Sequence, residues 1–198
     1  QSNFGEDLIF AARGGNLFFW DATDALTTRG VLLSSESGAS NVPVKVNTVL
    51  VSDNRFVFCF GTNVLGSTDI DPMLLRWSDQ ENAVNWTPSS TNQAGDLRLS
   101  KGSEIITAVQ GRQEILVWTD SALYALQYVG APAVWSSQTV GENLSIASTR
   151  AVAYANGVAY WMGVGGFYRY DGRVQSLPCT VKRYIFNDFN TEQYDQVF

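Results

Sequence analysis

One pattern recurs along the chain and leaves it few folds: an apolar run, a turn rich in Gly or Asp, and a second run that closes on an aromatic. It first reads Leu8-Ile-Phe-Ala-Ala12, then Gly14-Gly15, then Leu17-Phe-Phe-Trp-Asp21. It returns as Phe56-Val-Phe-Cys-Phe60 with Leu74-Leu-Arg-Trp77, and as Ile115-Leu-Val-Trp-Thr-Asp120 with Ala122-Leu-Tyr-Ala-Leu-Gln-Tyr128. The last copy is Gly157-Val-Ala-Tyr-Trp-Met-Gly163 with Phe167-Tyr-Arg-Tyr-Asp-Gly172. Short apolar and aromatic runs bounded by turn residues read as strands. The closing aromatics Trp20, Trp77, Tyr128 and Tyr170 lie 57, 51 and 42 residues apart, and three of them are followed within two residues by Asp. Self-similarity at that spacing is the mark of a repeat architecture.

A further strand precedes each of the last three hairpins, joined to it by a tight-turn pair. These are Val46–Ser52 before Asp53-Asn54, Glu104–Val109 before Gly111-Arg112, and Arg150–Tyr154 before Asn156-Gly157. Asn-Gly is the strongest of the three signals, because both central residues of a type I′ turn need positive φ. A looser fourth segment follows, as in Ala133–Val140 and Val174–Leu177. Four strands and then a restart is the grammar of a β-propeller blade. Second strands such as Ile115-Leu-Val-Trp118 are apolar on both faces, which suits a sheet packed between two neighbours.

The expected fold is therefore all-β and β-propeller-like, in successive four-stranded antiparallel blades, with a β-sandwich as its competitor. Blades are expected over residues 46–103, 104–148 and 149–198, the last including the start of a further unit. Residues 1–45 read as a partial blade with its following loop. A propeller closes with at least four blades, so the pattern implies a minimal ring or part of a larger propeller protein, and the unfinished units favour the part. On this reading Trp20, Trp77, Trp118, Tyr128, Trp161 and Tyr170 are core residues between blades. One such hairpin could be a sugar platform; four are a scaffold.

The charge balance excludes other classes. Thirteen basic residues against nineteen acidic ones give a net charge of -6, and no Lys/Arg cluster gathers the basic ones, so nothing attracts nucleic acid by charge. The chain has no histidine, which removes Ser-His and Cys-His nucleophile pairs and His-ligated metals. Cys59, inside an apolar run, and the distant Cys179 read as free thiols. No apolar run reaches membrane-spanning length, so no membrane insertion is expected.

Polar motifs read as turns. Ser78-Asp79-Gln-Glu-Asn-Ala-Val-Asn-Trp86 has the outline of the Ser-x-Asp-x-Gly-x-x-Trp box of sialidase-type propellers, with shifted spacing and no Gly. Such a box folds back on its own Asp. Ser67-Thr-Asp-Ile-Asp71 could hold Ca²⁺ weakly through oxygen ligands but lacks the Gly and later Glu of a calcium loop, and reads as a solvated acidic loop. Asp120, Asp171 and Glu142 are turn residues by the same logic. Gly163-Val-Gly-Gly166 precedes aromatic strand residues and not a helix, so it is a hairpin turn and not a phosphate cradle. No catalytic, cofactor-binding or metal-ligating residue is assigned, and no cofactor or small-molecule substrate is expected.

Several segments together resemble virion proteins of short-tailed bacteriophages. They are Arg76-Trp-Ser-Asp-Gln-Glu-Asn82, Asn85-Trp-Thr-Pro88, Asn92-Gln-Ala-Gly-Asp-Leu-Arg-Leu99, Ile115–Tyr124, Gly157–Gly163 and Phe167–Gly172, within residues 74–186. The type is the propeller-bearing tail hub or nozzle protein, also called tail tubular or packaged-DNA stabilisation protein. The resemblance implies a non-enzymatic virion component, assembled in the host cytoplasm. Copies, six by the resemblance, form a homo-oligomeric ring below the portal or adaptor. The ring continues the DNA exit channel, lets the genome pass without sequence-specific binding, and carries fibre or adhesin proteins. Further propeller strands would follow a segment like Tyr184-Ile-Phe-Asn-Asp188. The competing function classes are a carbohydrate-binding propeller and a sialidase-like glycosidase, which needs an arginine cluster facing a Tyr-Glu pair.

Overall fold

The computed structural model describes residues 1–190 and 192–193. The fold is all-β and propeller-type: four blade-like sheets, each of four antiparallel strands in chain order. The first sheet comprises β1 (Ser2–Phe4), β2 (Asp7–Ala11), β3 (Leu17–Trp20) and β4 (Val31–Leu32). The second comprises β5 (Val46–Val51), β6 (Val57–Asn63), β7 (Ile70–Trp77) and β8 (Gly95–Arg98). The third comprises β9 (Ile105–Gln110), β10 (Ile115–Thr119), β11 (Ala122–Gly130) and β12 (Val134–Glu142). The fourth comprises β13 (Val152–Ala155), β14 (Val158–Gly163), β15 (Gly166–Tyr170) and β16 (Val174–Leu177), and α1 (Lys182–Asp188) follows it.

The first sheet departs from the sequence reading. Residues 1–45 hold a full four-stranded sheet where a partial blade was expected, because β1 and β4 are three and two residues long and carry too little chain to show a period. Tyr184–Asp188, after which further strands were expected, lies within α1. The expected start of a further unit falls mainly on residues 191 and 194–198, outside the described residues.

The chain divides into two compact units, Gln1–Ser100 with Gly130–Val134, and the remainder. In the first unit, Ile9 and Leu17 of the first sheet pack with Val46, Val49, Val57 and Cys59 of the second, and Leu33, Ala83 and Trp86 join them from the loops. In the second, Leu116, Trp118, Leu123 and Ala125 of the third sheet face Ala159, Trp161 and Tyr170 of the fourth. Trp118 and Trp161 meet edge to face with ring centroids 5.5 Å apart, and Trp161 stacks on Tyr168 at 5.4 Å.

Burial follows the both-faces-apolar reading for β6 and β10, in which every residue is buried. It does not extend to β2, where only Ile9 is buried, or to β14, which alternates and leaves Tyr160 exposed. Four of the six aromatics read as core are so: Trp77, Trp118, Trp161 and Tyr170 are 8% exposed or less. Tyr128 is 38% exposed. Trp20 is half-buried, its indole N–H donating to the Thr28 carbonyl at 3.0 Å.

Turn chemistry is as the residues dictate. Asn156 and Gly157 take φ of 53° and 82°, the pair of positive values a type I′ turn requires. Gly61 marks a bulge: the β6–β7 register shifts between Phe60 and Thr62, φ at Gly61 is +57°, and a Cβ there would come within 2.7 Å of Asn47 Nδ2.

Candidate functional site

In the first unit the chemistry-bearing residues are engaged in holding backbone. Ser78 Oγ accepts the Val57 N–H at 3.0 Å and donates to the Asp79 carbonyl. Asp79 Oδ1 accepts the N–H groups of Gln80 and Gln93, both at 2.9 Å, and Asn82 Oδ1 accepts those of Val84 and Asn85. Trp86, 1% exposed, closes the loop by donating its indole N–H to the Ala83 carbonyl at 2.7 Å. The Ser78–Trp86 segment is thus a self-bonded turn of the Asp-box kind. Asn63, absent from the sequence reading, joins two loops: its Oδ1 accepts from Val44 and Lys45, and its Nδ2 donates to the Ser67 carbonyl.

The acidic candidates are partnered. Asp71, the second strand residue of β7, accepts the Met73 N–H and pairs with Arg98 Nε at 2.6 Å. Partial burial opposes its ionisation, but the Arg98 and Met73 bonds outweigh that and hold its carboxyl below the usual range. Glu142 closes β12 and faces Lys101 at 3.5 Å, both half-exposed. Among the described residues no three Cys, Asp or Glu side chains gather as a metal site.

Asp120 fastens the loop before β9. Its two oxygens accept the Ser103 N–H at 2.8 Å and the Ser103 hydroxyl at 2.6 Å. Desolvation raises its pKa, but these bonds and neighbouring backbone N–H groups bring it below the ordinary value. A lowered folded pKa stabilises above the unfolded value and is lost as pH falls through the folded one. Asp120→Asn should therefore be less stable than the parent at neutral pH, and the gap should close below about pH 4. Urea midpoints across that range check this; a gap that stays constant in acid would refute it.

Arg76 is the least expected feature. It is the next-to-last residue of β7 and is 2% exposed. Its Nη2 donates to the Asn41 carbonyl at 2.7 Å, with longer contacts from Nη1 to the Asn63 carbonyl at 3.4 Å and from Nη2 to the Trp86 carbonyl at 3.5 Å. Burial lowers its pKa, while the neighbouring Cys59 and Asp96 oppose that. Burial likewise pushes the Cys59 thiol well up, so it stays protonated and inert. One guanidinium thus ties three separate stretches of backbone to β7.

The second unit carries a polar cleft of about 290 Å³. It forms where the turns after β9, β13 and β15 come together: Arg112, Gln113 and Glu114 from the first, Gly157 from the second, Asp171 and Gly172 from the third. Gln127 of β11, Tyr154 of β13 and Tyr170 of β15 complete it. The Tyr154 hydroxyl accepts the Arg112 backbone N–H at 2.9 Å. Tyr170 lies beside Glu114, and burial followed by the Glu114 charge raises its pKa to about 12. Arg169 Nη2 balances Asp171 at 3.4 Å. A Tyr-Glu pair thus exists, but one lining arginine faces it instead of a cluster. The sequence offers no sign of the pair, because Glu114 and Tyr170 are 56 residues apart in different strand repeats.

No family model and no curated protein matches the chain. Among solved structures, a protein described as the extracellular domain of a one-component system from B. thetaiotaomicron is similar, with a TM-score of 0.54 at 14% identity. The match covers 91% of this chain and 22% of that one, so the chain spans about a fifth of its neighbour's length. At this identity the likeness is one of fold.

Proposed function

We propose that the chain is a structural propeller segment of a short-tailed phage tail. It works in the homo-oligomeric nozzle or hub ring that continues the DNA exit channel and supports fibres or adhesins. The observation that carries the scaffold half of this reading is the engagement of Asp71, Asp79, Asp120, Asn63, Asn82 and Ser78 in holding loops. The residue resemblance over 74–186 carries the tail half.

The charge suits a conduit. A wall that neutralised phosphates would release counterions and bind the duplex, whereas an acidic wall lets it slide. Net charge is -6, although Asp71 and Glu142 are each balanced by a nearby base. Co-expressing the complete reading frame with its neighbouring tail proteins should give rings by electron microscopy, with no measurable duplex affinity at low salt. A monomer that binds DNA tightly, or that never joins a tail, would overturn the reading.

A further inference from the structure

We propose that the polar cleft of the second unit binds a neutral polyhydroxylated ligand, a single saccharide unit. The first ground is unused hydrogen-bonding capacity. The side chains of Arg112, Gln113 and Gln127 are exposed and make no hydrogen bond or ion pair within the described structure, although they line one cavity. Glu114 gives one interaction to the Tyr170 phenol, and a carboxylate has about four lone-pair sites.

The second ground is charge. Arg112 offsets Glu114, and Arg169 offsets Asp171, so the cleft attracts neither phosphate nor a free cation. What remains is a ring of mixed donors and acceptors on planar side chains: one guanidinium, two primary amides and two carboxylates. That set matches the vicinal hydroxyls of a sugar, each of which donates and accepts, and Tyr154 adds an apolar ring beside them. The third ground is size. A volume of about 290 Å³ lies at the small end of ligand pockets, which begin near 300 Å³, and so holds one ring and not a chain.

The recognition is non-covalent. Tyr170 is protonated at neutral pH beside the Glu114 charge, so the phenol offers a donor and the carboxylate acceptors on one wall of the cleft. Gly157 and Gly172 form the turn tips at the rim, where no atom lies within 4 Å of the position a Cβ would take, leaving the mouth open.

The test is saturation-transfer NMR on the whole chain with glucose, galactose, mannose and N-acetylglucosamine, with inorganic phosphate and calcium chloride as charged controls. At least one sugar should bind in the millimolar range, and the controls should not compete. Arg112→Ala and Gln127→Ala change exposed side chains with no internal partner, so both should fold as the parent does while weakening that sugar by about tenfold or more. No sugar signal, equal binding by both variants, or displacement of the sugar by phosphate would each overturn the proposal. Because the readout is sugar binding alone, it stands or falls separately from ring assembly in a tail.

Discussion

Replacing Arg76 with alanine is expected to destabilise the first unit by about 3 kcal/mol, since a hydrogen bond from a charged group contributes about 1.5–3 kcal/mol and the buried stem adds packing. The reason is geometric as much as electrostatic. Arg76 is 2% exposed, and its guanidinium serves the carbonyls of Asn41, Asn63 and Trp86, which belong to three stretches far apart in sequence. Removing it leaves buried acceptors without a donor, at about 1–3 kcal/mol for each that cannot find water, and opens a cavity beside Cys59. Arg76→Lys keeps the charge but not the planar fork, and a compact ammonium cannot reach divergent acceptors together, so it should recover less than half of the loss. Urea denaturation followed by fluorescence reads both. A loss below about 1 kcal/mol for the alanine variant, the scale of one ordinary hydrogen bond, would show that the three carbonyls are satisfied some other way.

The second large effect is expected at Trp118. This side chain is fully buried in β10 and meets Trp161 edge to face across the gap separating the third and fourth sheets. Trp118→Ala should cost about 3–5 kcal/mol through lost transfer energy and the cavity left behind. At about 2–4 °C per kcal/mol for chains of this size, the melting temperature should fall by about 10 °C. Trp118→Phe should cost clearly less, because the Trp118 indole N–H has no hydrogen-bond partner and nothing polar is lost with it. Calorimetry on both variants decides the matter: equal losses would mean that the indole nitrogen carries an interaction and the contact is not one of shape.

How much of this was legible depends on which physical signal each element leaves in the chain. Most strands of the second, third and fourth sheets were, because each carries an apolar or aromatic run ended by turn residues, and Asn156-Gly157 fixes its hairpin by backbone conformation alone; β8 was not, since Gly-Asp-Leu-Arg shows no such run. The short strands Ser2–Phe4 and Val31–Leu32 were not, since two or three residues cannot display a period. Core assignments succeeded for Trp77, Trp118, Trp161 and Tyr170 and failed for Trp20 and Tyr128. A repeated aromatic signals the hairpin and not what covers it. The Ser78–Trp86 turn was legible because several of its bonds, such as those of Asn82 to Val84 and Asn85 and of Trp86 to Ala83, are local. Arg76 and the Glu114–Tyr170 pair were invisible for the opposite reason: their partners lie far off in sequence, and only the register of the sheets and their loops brings them together.

The indole nitrogens of Trp118 and Trp161 are both buried and both without an acceptor. No hydrogen bond therefore ties either position to tryptophan, and what the junction asks of each is a large ring of matching shape and orientation. Another aromatic that fills most of the space keeps the contact, so side-chain volume at these paired strand positions is a better guide to the fold than residue identity.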